Sequence, residues 1–312
     1  MDENLLGTFK RAIESIQVLR RYDKTLLDST LSSLDLAENS MISIGIAGAQ
    51  GVGKTTLLKA ILASKALPDP PFPARQREET GVPVLAARAE KPYLVEIYGK
   101  RKRKRIDLKK ITQNDIHIRT SADKLTERHA DYLRLKSLEV FMPDLAIPEG
   151  VFIVDLPGVG GNLATVSKWA QKYVLEGMSC ILFVLDCAQA VTCVESEANL
   201  IRMFGPQLYG SIFIQNVWSD YDDDVESVEK ANREFLSEHI GEHTYVKIDL
   251  KQALQEKSSD NQKRLAAVQK FISSVGAGRD AVIIGSASRT LKIRGLEIRS
   301  ALEVELRRLS DQ

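Results

Sequence analysis

The strongest constraint on this chain is a short run. Gly48-Ala-Gln-Gly-Val-Gly-Lys-Thr55 fits the pattern G-x-x-x-x-G-K-[ST]. It stands between an apolar run, Met41-Ile-Ser-Ile-Gly-Ile-Ala47, and a helical pattern from about Lys54 to Lys65. A strand, a glycine turn and a helix in that order make a phosphate cradle. The glycines let successive backbone N–H groups point inward at an anion, and the helix presents its positive end to the same charge. The predicted cradle comprises Ala49, Gln50, Gly51, Val52, Gly53, Lys54, Thr55 and Thr56. In this geometry Lys54 reaches the β- and γ-phosphates and the Thr55 hydroxyl ligates Mg²⁺.

Such a cradle needs an acid at the tip of a neighbouring strand to hold the metal, directly or through water. Asp155-Leu-Pro-Gly158 follows the apolar run Phe152-Ile-Val154 and supplies one. Gly158 can give its N–H to the γ-phosphate. Between the two motifs lies Arg77-Glu-Glu-Thr-Gly-Val-Pro83. Thr80 sits where a loop could reach over the nucleotide, ligate Mg²⁺, and let go when the γ-phosphate leaves. Read without that order, Thr80 is an ordinary loop residue.

A base-reading element is expected after a later strand. Ser211-Ile-Phe-Ile-Gln is followed by Asn216-Val-Trp-Ser-Asp220. Asp220 could accept from the guanine N1–H and N2–H groups, and Trp218 could stack on the base. Asn216 would belong to the same element. The alternative is a plain strand-to-loop transition, with base specificity set elsewhere.

Together these residues resemble the dynamin superfamily of large GTPases. The likeness rests on the P-loop with Gln50, on Thr80 to Pro83, and on Asp155-Leu-Pro-Gly158. It departs at Gly51, where the family usually has serine, and at Asn216–Asp220, which lacks the lysine of [NT]-K-x-D. The resemblance implies a Mg²⁺·GTP hydrolase in which Gln50 positions the attacking water and Gln50, Lys54 and Thr80 are catalytic. Thr55, Thr80 and Asp155 would be the metal ligands. It also implies nucleotide-dependent pairing of two GTPase domains, a helical neck, and membrane remodelling. Contact with lipid would then come through regions absent from this chain. The rivals are a P-loop ATPase, or a nucleotide-sensing switch or scaffold that remodels no membrane.

The rest of the chain fits an α/β fold, with a mostly parallel sheet and helices on both faces. Strands are predicted at Val82–Arg88 and Tyr93–Tyr98, flanking Glu90-Lys91-Pro92 as a hairpin, and at Leu138–Met142. Then strands Val151–Asp155, Cys180–Asp186, Ser211–Asn216 and Tyr245–Asp249 alternate with helices Ala164–Gly177, Val194–Phe204, Asp223–His239 and Gln262–Val275. Residues 1–37 and 281–312 carry leucine stripes at helical spacing, outside that alternation. They are expected to pack together as a neck around a GTPase domain spanning 38–280.

Composition narrows the class. With 43 Lys and Arg against 42 Asp and Glu, the net charge is +1, and no specific nucleic-acid partner is expected. The start MDENLLGTFK lacks a secretory pattern, and Cys180, Cys187 and Cys193 lack CxxC spacing. The expectation is a cytoplasmic protein whose membrane contact is peripheral. His239-Ile-Gly-Glu-His243 matches a zinc-protease pattern, but Gly241 points to a helix end and not to two histidines on one helix face. The basic run Lys100–Arg105 reads as a solvated hairpin end or loop, with contact to an anionic surface as the other option.

Overall fold

A computed structural model describes residues 11, 42–49, 51–62, 82–98, 102–110, 119, 135–156, 178–186, 198–199, 201–202, 210–217, 225–255, 258–278, 281–282 and 303. The chain divides into two compact units, one of residues 43–277 and one of residues 1–42 with 278–312. In the second unit the described residues Arg11, Ala281, Val282 and Glu303 are helical. The two leucine stripes and the neck expected of them otherwise lie outside the described residues.

The larger unit is built on one nine-stranded sheet. Its elements in chain order are β1 (Ile42–Ala47), α1 (Lys54–Leu62), β2 (Val84–Arg88), β3 (Tyr93–Ile97), β4 (Arg103–Asp107), β5 (Ser137–Met142), β6 (Val151–Asp155), β7 (Cys180–Asp186), β8 (Ile212–Asn216), α2 (Val225–His239), β9 (Thr244–Ile248), α3 (Leu250–Leu254) and α4 (Ser259–Ala277). The strand order is β4-β3-β5-β2-β6-β1-β7-β8-β9. The half from β1 through β7 and β8 to β9 is parallel. On the other side β2 runs parallel to β5 but antiparallel to β6, and β3 is antiparallel to both β4 and β5. The α/β architecture is the expected one, with a more mixed sheet than the alternating pattern implies.

The expected hairpin of β2 and β3 does not form, because β5 lies between them. The reason is burial. Leu138, Val140, Phe141 and Met142 cover both faces of β5 and are all buried, so this strand needs a neighbour on each side. Pro92 has no N–H to offer a hairpin ladder, and the Ala89 N–H donates to the Met142 carbonyl at 3.1 Å. β3 instead forms a hairpin with β4, so the described part of the basic run, Lys102 to Arg105, starts at a hairpin end and continues into an edge strand.

Helices cover both faces of the sheet. On one face Phe183, Phe213, Ile181 and Val154 pack with Ala198, Ile201 and Leu236 of α2 and the helical segment before β8. On the other, α4 turns Leu265, Val268, Ile272 and Val275 inward at steps of three and four. The ideal Cβ of Gly276 would lie 3.3 Å from Val151 Cγ2, which places α4 on that second face. Gln269 Nε2 donates to the Ile61 carbonyl of α1 at 3.3 Å, tying α1 to α4. At either side of β1 the chain order of the strands diverges. In sheets of this kind the crevice beyond the carboxyl ends at such a point is where ligands bind.

Candidate nucleotide-binding site

The P-loop grows out of that point. β1 ends at Ala47, and Gly48 turns with φ +145 so close to β7 that a Cβ would come within 2.3 Å of the Val184 carbonyl oxygen. Only glycine fits. Gly53, with φ +102, passes the side chain of Asn216 at 2.7 Å from an ideal Cβ to Nδ2. The loop is thus wedged between β7 and β8 before α1 begins. Lys54, the first residue of α1, is 7% exposed, and its ammonium donates to the carbonyls of Ala49 at 2.5 Å and Gly48 at 3.3 Å. Those bonds hold a cation inside the turn. Val52 and Ala49 are buried, Thr55 and Thr56 are half-buried, and Gly51 is exposed.

β6 delivers the acid. The Thr55 hydroxyl donates to Asp155 Oδ2 at 2.8 Å, joining residues a hundred positions apart. Asp155 is buried, and among the described residues its second oxygen, Oδ1, has no hydrogen-bond partner. Burial pushes the Asp155 carboxyl up, the Lys54 charge and the Thr55 hydroxyl draw it partly back, and it settles at about 6. An orphaned carboxylate oxygen beside a threonine hydroxyl is a hard-oxygen pair, the donor type that Mg²⁺ takes. The residues present therefore fit that metal.

Asn216, at the end of β8, braces the loop from behind. Its Nδ2 donates to the Val52 carbonyl at 2.9 Å, and its Oδ1 accepts from the Leu250 N–H at 3.2 Å. The side chain is 3% exposed. One amide thus links the P-loop, β8 and the start of α3. The start of α3 is itself held: Asp249 Oδ1 caps it by accepting from the Gln252 N–H at 2.8 Å, and Asn261 Oδ1 accepts from the Asp249 N–H at 3.2 Å. Sequence reasoning missed α3 and this support. The signal was there, because Asp249 followed three residues later by Gln252 is a helix-start pattern directly after a strand.

Residues 44–217 match the family model described as the dynamin family. The chain belongs to the dynamin family. Two solved structures of an oligomerised bacterial dynamin pair, which provides a mechanism for the long-range sensing and tethering of membranes, are similar to it in fold. They match 99% of this chain at 15% and 16% identity, with TM-scores of 0.56 and 0.62. This chain covers 49% and 46% of theirs, so it spans about half the length of those relatives. No curated protein matches it in sequence.

In this dynamin-family chain the structure brings Ala49, Gly51, Val52, Gly53, Lys54, Thr55, Asp155 and Asn216 to one end of the sheet. Thr56 follows on α1. Gln50, Thr80, Gly158, Trp218 and Asp220 lie outside the described residues. The His239–His243 pattern falls where a helix ends. α2 stops at His239, Gly241 has φ +85, and the ring nitrogens Nδ1 of His239 and His243 pair with the carbonyls of Phe235 and Gly241 at 2.9 and 2.8 Å. The two histidines share no helix face. Among the described residues no helix is long and apolar enough to cross a membrane.

Proposed function

We propose that this chain binds and hydrolyses Mg²⁺·GTP and couples nucleotide state to self-association, with membrane remodelling as the output. The observation that carries the reading is the Thr55–Asp155 contact beside the buried Lys54 ammonium. It brings an ammonium and a hydroxyl from α1 against a carboxylate from β6, which supports a phosphate end and a metal end of one nucleotide site. Lys54 then moves from the loop carbonyls onto the β- and γ-phosphates. Thr55, Asp155 and Thr80 would hold the metal, and bound Mg²⁺ would supply neutralisation of phosphate charge. Gln50 orients water, Gly158 gives its N–H to the γ-phosphate, and Asn216 and Asp220 serve the base.

A lone glutamine amide is a poor catalyst until the loops around it are ordered. Pairing of two nucleotide faces would order them. The test is competition of GTP and ATP for the purified chain, followed by turnover measured across protein concentrations. GTP preference, a Mg²⁺ requirement and turnover per molecule that rises with concentration are the expected results. The missing lysine after Asn216, and the commitment of the Asn216 amide to Val52 and Leu250, favour one alternative, an ATPase or nucleotide-sensing switch. Equal competition by ATP would establish that alternative. Turnover independent of concentration would remove activation by pairing.

A further inference from the structure

The basic run has no part in the nucleotide site, yet it occupies a defined place. β4 ends the described sheet and pairs only with β3. The register sets which backbone groups face outward. The Tyr98 N–H donates to the Lys102 carbonyl at 2.9 Å, so Tyr98 and Lys102 are a hydrogen-bonded pair. Such pairs alternate along an antiparallel ladder. Lys104 opposite Glu96 and Ile106 opposite Leu94 therefore also bond inward. Arg103 and Arg105 turn their N–H and C=O groups to the edge that no described strand covers.

The side chains are equally ordered. Arg103 lies 3.4 Å from Glu139, Lys104 lies 3.7 Å from Glu96, and Arg105 stacks 3.7 Å above the Tyr93 ring. Lys102 sits 5.2 Å over Tyr98. Arg103 and Lys104 nevertheless keep 67% and 64% of their side chains in solvent. Arg103 and Arg105 lie on one face of the sheet and Lys102 and Lys104 on the other, because side chains alternate. Among the described residues, four positions thus carry cations against Glu96, Glu139 and Asp107, and Glu96 is already paired with Arg119.

The geometry points to β4 as a docking edge for an extended acidic segment of a partner protein, added to the sheet as a further strand. Cations on both faces of an edge match an incoming strand, whose side chains also alternate up and down beside them. A flat lipid surface would meet one face. The same charges repel a basic edge, so they select as well as attract. The order Lys102-Arg-Lys-Arg-Ile-Asp107 asks for four acidic residues, then an apolar one opposite Ile106 and a basic one opposite Asp107. In the antiparallel sense that segment reads Lys-Val-Glu-Glu-Glu-Glu.

The test uses the 312-residue chain and a fluorescein-labelled Lys-Val-Glu-Glu-Glu-Glu peptide. The expected result is saturable binding that falls at least about tenfold when the two peptide residues facing Arg103 and Arg105 are N-methylated. That change leaves charge and protein untouched and blocks the ladder, by removing its donors and placing a methyl group at each. An Arg103→Glu/Arg105→Glu variant should lose binding to the same degree while its nucleotide affinity stays at the wild-type value, although loss of the Arg105–Tyr93 and Arg103–Glu139 contacts lowers its melting temperature. Equal binding of methylated and unmethylated peptide would overturn the proposal, because charge alone would then explain it. So would absence of peptide binding. Phosphatidylserine-rich vesicles that sediment with the wild type but not with the double variant, without peptide binding, would assign the edge to lipid instead. A dimer dissolved by the same variant would assign it to a second copy.

Discussion

Asp155 holds two opposed tendencies in one carboxyl group. Its folded-state pKa lies at about 6, above the ordinary 3.8, because burial outweighs Lys54 and Thr55. A group raised in this way favours the folded state most when protonated. Its contribution is full below about pH 4 and is lost as pH rises through about 6. A shift of this size corresponds to about 3 kcal/mol. Without nucleotide and metal, Asp155→Asn should therefore be more stable than the wild type at pH 7 and equal to it near pH 4, measured by urea denaturation. With Mg²⁺·GTP present the order should reverse, because the amide cannot replace a carboxylate ligand. Asn216 makes the opposite trade, using a neutral group to satisfy backbone. Asn216→Ala strands the Val52 carbonyl and the Leu250 N–H, and should cost roughly 2–6 kcal/mol at about 1–3 per buried group. Hydrogen exchange at the Leu250 amide should accelerate, and nucleotide affinity should fall as the P-loop loses its brace.

Among the elements, the β3–β4 edge shows how a sheet tolerates charge. Glu96 is fully buried on β3 and lies 2.6 Å from the Arg119 guanidinium, whose side chain is 12% exposed. The Tyr98 hydroxyl donates to the other carboxylate oxygen at 2.9 Å. Removing one partner of such a pair leaves an uncompensated charge. Glu96→Gln should destabilise the larger unit by about 3 kcal/mol, read as a lower denaturation midpoint. Glu96→Leu combined with Arg119→Met should recover most of that loss, because desolvation of the ions offsets much of their attraction. On the opposite face of the same strands, Arg105, Tyr93, Phe141 and Phe152 form a chain of ring contacts, with Tyr93 and Phe141 stacked at 4.4 Å. These contacts anchor a strand whose own side chains are mostly exposed.

For the molecule as a whole, the grouping of residues 1–42 with 278–312 into one compact unit bears on stability. Leu5, Phe9, Ile13 and Ile16 near one end and Leu291, Ile298, Leu302 and Leu309 near the other are two apolar stripes that water disfavours. Deleting residues 1–35 should expose the second stripe. The expected outcome is concentration-dependent aggregation and a lowered melting temperature, checked by light scattering and calorimetry. A truncated chain that stays monodisperse with unchanged melting would show that the stripes do not cover each other.

How far the sequence reached follows from the range of each interaction. The strand–turn–helix of the P-loop, the strands at Val151–Asp155 and Cys180–Asp186, the apolar face of α4 and the break at Gly241 were legible. Each depends on residues within one or two turns of one another, where periodicity and turn chemistry leave a pattern. The partners of those elements left none. Asn216 and Val52 meet across 164 positions, and no spacing rule announces it. That β5 would separate β2 from β3, and that a basic run would close one edge of the sheet, was decided by which strands must be buried on both faces. That competition for the interior is settled only when all the strands are present together, so tertiary structure alone could decide it.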